Sequence, residues 1–273
     1  MNAVERWGGA LGGWGIPEEI LARASESPWT YPTELFRRRA EAALTTEPTP
    51  SVLRAAESLP QGGTVLDVGV GAGAASLPLA PRASRITGVD TSEDMLEAFR
   101  QAATDAAVEI VAVLGRWPDV AGDVDPADVV VCSHVLYNVQ DLEPFARALD
   151  GHARARVVIE ITATHPLAWM SDLWLRFHGL ERPTRPTADD AEEALRELGL
   201  DVRTEEVMRP PRTGGFPARE DAVSLVRRRL CLLPDRDQEI ASALGDRLVE
   251  QDGLWSAGPT DQAVVTLWWD TAR

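Results

Sequence analysis

The chain has 273 residues, of which 44% are hydrophobic and 26% charged, so it can bury a substantial core and is neither disordered nor a low-complexity repeat. A formal charge of -16 argues against nucleic acid as a general partner, because such a surface repels a phosphate backbone. All 27 basic residues are arginine, which excludes Schiff-base chemistry, a pyridoxal-phosphate anchor and a P-loop lysine.

The opening residues MNAVERWGGALGG carry charge early and lack an apolar run, so no secretory leader is expected. No stretch reaches the roughly 18 apolar residues of a membrane span, and two cysteines cannot form a disulfide framework. The expectation is a soluble, cytoplasmic protein. Residues 1–50 hold Trp7, Trp14, Trp29 and a helix-like run from Thr33 to Leu44, and end in the Pro/Thr linker Thr45 to Pro50. They are expected to form an N-terminal helical cap, distinct from a main domain over 51–273.

A strand–helix alternation starts at Thr64. The apolar runs Thr64–Val68, Arg85–Val89, Val108–Val113, Asp128–Cys132 and Arg156–Ile161 fit strands buried on both faces. Helices are predicted between them at Ala74–Leu79, Ser92–Ala103 and Leu142–Leu149, the second with the start signal Thr91-Ser92-Glu93-Asp94. This pattern predicts an α/β fold with a doubly wound, mostly parallel sheet and helices on both faces. Inserts are expected at about 165–186 and 209–258. Further on, Thr187 caps a predicted helix to Leu198 with Gly199 as its stop. A sixth strand is read over Leu200–Met208, and a Pro/Gly loop over Arg209–Arg219. Helices then follow at Glu220–Leu230 and Asp235–Glu250, and a last strand at Gln262–Trp269.

The stretch richest in chemistry is Val65-Leu66-Asp67-Val68-Gly69-Val70-Gly71-Ala72-Gly73. A buried strand feeds a glycine turn, where backbone approaches a ligand closely and the start of a following helix offers N–H groups. Asp90 ends the second strand, 21 residues after Gly69, placed to accept from both hydroxyls of a ribose. The glycine pattern alone also suits a dinucleotide fold. Asp67 opposes that reading, since its charge repels a pyrophosphate and favours a cation.

With VLDVGVGAG at 65–73, ITGVDTSEDML at 86–96 and DVVVCSHVLYNVQDLEPF at 128–145, the chain resembles the class I S-adenosylmethionine-dependent methyltransferases, a Rossmann-like family with a seven-stranded sheet. The resemblance implies that Asp67, Gly69, Gly71 and Gly73 hold the methionine end of S-adenosylmethionine and Asp90 its ribose. Thr91 and Met95 would then lie near the adenosine. The Gly-Asp common after the third strand is replaced by Gly115-Arg116, so adenine would fall to backbone groups or to Trp117. Ser133 and His134 would flank the transferable methyl, with His134, Tyr137 and His165 as candidates for proton removal or acceptor contact. The product is S-adenosylhomocysteine and the expected acceptor a small molecule; no metal ligand set is read.

Two rival readings stand beside this one: an NAD(P)-dependent oxidoreductase, and a non-catalytic protein retaining the fold. Glu160 is read as structural, and Arg37-Arg38-Arg39 and Arg227-Arg228-Arg229 as solvated helix faces. The tryptophans outside the sheet line either an apolar acceptor pocket or a second core.

Overall fold

The computed structural model describes all residues except 30, 31, 105, 210–214, 260, 272 and 273. Four helices precede the first strand: α1 (Ala3–Gly12), α2 (Glu18–Leu21), α3 (Thr33–Thr45) and α4 (Pro50–Ser58). Then come β1 (Gly63–Val68), β2 (Ala83–Asp90), α5 (Glu93–Ala102), β3 (Glu109–Leu114), β4 (Ala127–Ser133), α6 (Leu142–His152) and β5 (Ala153–Thr162). The later chain gives α7 (Ser171–His178), α8 (Ala188–Glu197), β6 (Arg203–Arg209), α9 (Arg219–Arg229) and α10 (Asp237–Leu244). It closes with β7 (Leu248–Gln251), β8 (Leu254–Ala257) and β9 (Gln262–Asp270).

Seven strands form one sheet in the order β3-β2-β1-β4-β5-β9-β6. Strands β1 to β5 are mutually parallel, and β9 runs antiparallel between β5 and β6. This is the predicted doubly wound architecture, with the terminal strand inserted. Strand order reverses direction between β1 and β4, which opens a crevice at their carboxyl ends. One face packs Val65, Ile86, Val129, Val131 and Val158 under α4 and α5. The other packs Leu66, Val130, Val157 and Ile159 under α1, α6 and α8. A satellite core joins α7, α9 and α10 to Ile16, Ile20 and Leu21.

Several expectations need correction. No α-helix follows the glycine turn: residues 71–76 are turns, and only Leu77–Leu79 forms a single 3-10 turn. Pro78 and Pro81 lack the N–H that a continuing helix needs, and β2 starts at Ala83. The helix expected over Asp235–Glu250 stops at Leu244. Gly245 departs from helical geometry at φ 53°, and the chain turns into the β7–β8 hairpin. Asp252-Gly253, both at positive φ, makes its two-residue turn, a signal that was present in the sequence. The Thr45–Pro50 linker leads directly into α4, where Thr49 Oγ1 accepts from Val52 N and Pro50 occupies the first turn. The Pro/Gly loop at 209–219 lies in part outside the described residues.

The 227–229 arginines are not a solvated face. Arg227 and Arg229 are buried; Arg227 pairs with Glu26 at 3.1 Å and Arg229 donates to Pro28 O, so the cluster anchors the N-terminal segment. Helix α1 begins with a capping box, Asn2 with Glu5, and seats fully buried Trp7, whose Nε1–H donates to Val139 O at 2.8 Å. Truncating a buried tryptophan leaves a large cavity and orphans a carbonyl. Trp7→Ala should therefore lower unfolding free energy by about 3–5 kcal/mol in a urea titration. A loss under about 1 kcal/mol would mean that α1 is not integral to the core.

Candidate functional site

The crevice at the carboxyl ends of β1 and β4 gathers most of the predicted residues. Gly69, Gly71 and Gly73 take φ of 76°, 53° and 90°. The first of these is also sterically obligatory, since a Cβ at Gly69 would lie 2.2 Å from Val135 Cγ2 in the loop leaving β4. The two loops thus touch, which brings Asp67 and Asp90 to the same edge as Ser133 and His134.

The turn does not offer the helix N-terminus expected of it. Gly69 N and Val70 N both donate to Val89 O, at 2.8 and 3.0 Å, Gly73 N donates to Val70 O, and Gly71 N donates to Asp90 Oδ2 at 2.9 Å. With four of its amides engaged inside the fold, this turn is a poor anion cradle. Its ligand-facing chemistry is carboxylate.

Asp67, on β1, is 1% exposed, and the Ser76 hydroxyl is the polar side chain beside it. Burial pushes its pKa up to about 7, opposed by the neighbouring Ser76 hydroxyl and reinforced by the charge of Asp90. A buried carboxylate with a single hydroxyl beside it is costly and calls for a cation or a proton. Asp90 differs. Its Oδ1 accepts from Ser92 N at 3.0 Å while Oδ2 holds Gly71, so one lone pair on each oxygen remains for a diol. Thr91 is exposed beside it, and half-buried Met95 sits in the first turn of α5, capped by Ser92. Helix α3 covers the turn, with Phe36 Cδ1 3.6 Å from a Cβ built at Gly71.

After β3, Arg116 is exposed, whereas Trp117 is buried in the core with its ring edge-on to His152 at 4.8 Å. The sheet brings Ser133 and His134 against Glu160 on β5. His134 takes φ 58°, uncommon for a side chain other than Asn, Asp or Gly, and its Nε2 lies 3.0 Å from Glu160 Oε1. Ser133 Oγ reaches the same oxygen at 3.4 Å; Ser51 Oγ donates to Glu160 Oε2 at 2.5 Å, and Arg209 lies 3.6 Å from it. A cavity of about 10 Å³ adjoins Ser51, Ala75, Ser133 and Glu160. Glu160, read from the sequence as structural, is where these groups meet. Its signal was a lone carboxylate in the apolar run Val157-Val158-Ile159-Glu160-Ile161, which must find partners once buried.

Tyr137 and His165 sit together. Tyr137 OH donates to Thr162 O at 2.9 Å, and burial pushes its pKa up. His165 stacks on Trp14 at 3.7 Å and meets Tyr137 edge-on at 5.2 Å, while its Nδ1 accepts from Leu167 N at 3.2 Å. Burial, aided by the charge of Arg182, lowers its pKa to about 3. Arg182 in turn lies over the rings of Trp14 and Trp174. Among the tryptophans outside the sheet, Trp7, Trp14 and Trp174 are buried, so these three build packing, whereas Trp29 is 54% exposed.

A family model described as a methyltransferase domain matches residues 36–205. No curated protein matches the chain by sequence. Among solved structures, it is similar to the YcgJ protein of Bacillus subtilis, with 17% identity over 82% of this chain and 98% of that one, TM-score 0.52. A putative methyltransferase from Bacillus halodurans gives 13% identity over 81% and 97%, also at 0.52. The magnesium protoporphyrin IX methyltransferase of Synechocystis, solved with bound S-adenosylhomocysteine, gives 16% over 86% and 83%, TM-score 0.50. These likenesses show the fold.

The lowered pKa of His165 sets a sign for stability. The folded state keeps the ring neutral below the unfolded value of about 6.5, so stability is complete above that pH and falls as pH drops toward 3. At pH 5 the loss from this residue is about 2 kcal/mol. Urea unfolding of the parent and of His165→Phe at pH 7.5 and 5.0 should differ in slope by that amount; equal slopes would show that His165 is protonated in place.

Proposed function

The chain belongs to the methyltransferase-domain family, and on that footing we propose that it moves the methyl group of S-adenosylmethionine to an oxygen, nitrogen or carbon nucleophile of a small molecule. The observation that carries this reading is the glycine turn with engaged amides and two carboxylates. It suits a cationic, phosphate-free adenosyl compound better than a pyrophosphate dinucleotide.

The residues present fit that cofactor. Asp67, buried beside the Ser76 hydroxyl, would hold the ammonium of the methionine end beside Gly69, Gly71 and Gly73. Asp90 would hold the ribose diol, with Thr91 and Met95 along the adenosine. Arg116 is exposed and Trp117 is engaged with His152, so adenine selectivity falls to the backbone after β3. When bound, the cofactor supplies a methyl already activated by the sulfonium charge, so the protein's share is mainly alignment, worth up to roughly 7–11 kcal/mol. His134 and Ser133 would face the acceptor. Tyr137 and His165 would shape the wall behind them, since a histidine whose pKa is lowered to about 3 is a weak base at neutral pH. The acidic surface supports a small acceptor over a nucleic acid. Free, buried Cys132 and Cys231 fit a cytoplasmic setting.

Calorimetry with S-adenosylhomocysteine tests the reading. The parent protein should bind it and ignore NADH, while Asp90→Ala should lose about 2–4 kcal/mol, roughly 30- to 1000-fold, through two charge-assisted hydrogen bonds. Equal affinity in the variant would remove the ribose assignment, and binding of NADH alone would favour the oxidoreductase. Asp67 adds a pH dependence. Its carboxyl is protonated below about 7 in the free protein but must be charged opposite an ammonium. Affinity should therefore rise up to tenfold per pH unit from 5.5 to 7, with proton release visible in buffers of different ionisation heat. Asp67→Asn should flatten that profile.

A further inference from the structure

We infer that Arg182 receives a carboxylate of the methyl acceptor, so that the small molecule this protein modifies is a carboxylic acid; this rests on the methyl-transfer reading above. Charge, unmet hydrogen bonding and position all lead there.

Arg156 and Arg227, both withdrawn from water, each face two acids. Arg156 meets Glu57 at 3.0 Å and Asp270 at 2.8 Å, and Arg227 meets Glu26 at 3.1 Å and Asp237 at 2.9 Å. Arg182 has no such match. It is half-buried, with its guanidinium carbon 5.3 Å from the Trp14 ring centre and 5.0 Å from that of Trp174. Indole faces attract a cation but supply no counter-charge. Burial lowers the Arg182 pKa, and no carboxylate among the described residues acts against it. In a chain of formal charge -16, a desolvated cation without an acid is an exception that a ligand's charge would remove.

The hydrogens of Arg182 point the same way. Nη1 donates to Gly15 O at 3.1 Å and Nη2 to Trp14 O, two carbonyls just past α1. The Nε–H is buried and meets no acceptor among the described residues. A guanidinium carries five hydrogens, so Nε–H and a second hydrogen on a terminal nitrogen are left over, and that edge matches the two oxygens of a carboxylate. One anion there would satisfy both the charge and the orphaned donor.

The place suits an acceptor. Trp14 stacks on His165, which meets Tyr137 edge-on, and Tyr137 OH donates to Thr162 O at the last residue of β5. Strand β5 pairs with β4, with Ser133 opposite Glu160. Arg182 therefore stands beyond the carboxyl ends of β4 and β5, whereas Asp90 ends β2 on the other side of β1. With the ribose at Asp90 and the ammonium at Asp67, the side of β4 and β5 is left to the acceptor. Residues 179–186, which carry Arg182, contain no helix or strand, so this loop can yield to admit the group.

Nitrogen NMR of the arginine side chains reads the Arg182 Nε–H directly, in the free protein and with S-adenosylhomocysteine. Its resonance is identified by its loss in Arg182→Lys or, should that variant not fold, by its contacts to the indole protons of Trp14 and Trp174. Sodium acetate should move this resonance saturably. Acetamide, the neutral analogue, should bind at least tenfold more weakly, and sodium chloride at equal ionic strength should leave the resonance in place. An Nε–H that ignores acetate, or that follows acetamide or chloride equally, would overturn the assignment, and the parent protein alone gives that answer. Calorimetry separates the two readings. A parent that binds S-adenosylhomocysteine but shows no acetate response loses only the carboxylate assignment. An acetate response in a protein that binds no S-adenosylhomocysteine would sink the methyl-transfer reading and leave Arg182 as an anion site.

Discussion

The site depends on one close approach: the backbone at Gly69 lies where any side chain would collide with Val135. That contact joins the loop leaving β1 to the loop leaving β4, on either side of the point where the strand order reverses. A methyl group there would pry the two loops apart. With glycine, residues 65–73 and 128–135 close over a single edge, where side chains of β1, β2 and β4 converge.

Around that edge the protein keeps three carboxylates in three environments. Asp67 is buried beside the Ser76 hydroxyl and is held near neutrality by desolvation. Asp90 is half-buried and anchored by two backbone amides. Glu160 is buried but surrounded by hydroxyls, an imidazole and a guanidinium. Side-chain chemistry is nearly the same in each, so the difference in role comes from solvation and neighbours alone.

The segments outside the sheet are fastened largely by arginine. Arg182 lies between Trp14 and Trp174 and donates to Trp14 O and Gly15 O, while Arg227 and Arg229 hold residues 26–28. Arg38 ties α3 to Gly215 O at 2.9 Å. A planar guanidinium can stack on a ring and donate several hydrogen bonds at once, which an ammonium does less well. In a chain whose every basic residue is arginine, several of them serve as internal staples.

The sequence by itself determined the sheet and its glycine-turn edge. Five apolar runs, the capped helix starts at Ser92 and Thr187, and a glycine turn flanked by Asp67 and Asp90 are local signals, each written within a few residues. Other local signals were present but unread: Asn2 with Glu5, Thr49-Pro50 and Asp252-Gly253. Only the tertiary structure decided which polar groups meet. Glu160 and His134 are 26 residues apart, and Ser51 and Arg209 come from opposite ends of the chain. Their meeting follows from β4 pairing with β5, from α4 packing on both, and from β6 joining the sheet across β9. The same holds for the burial of Trp117, His165 and Arg227, because local pattern reports what a residue can do, while long-range packing sets its solvation and partners.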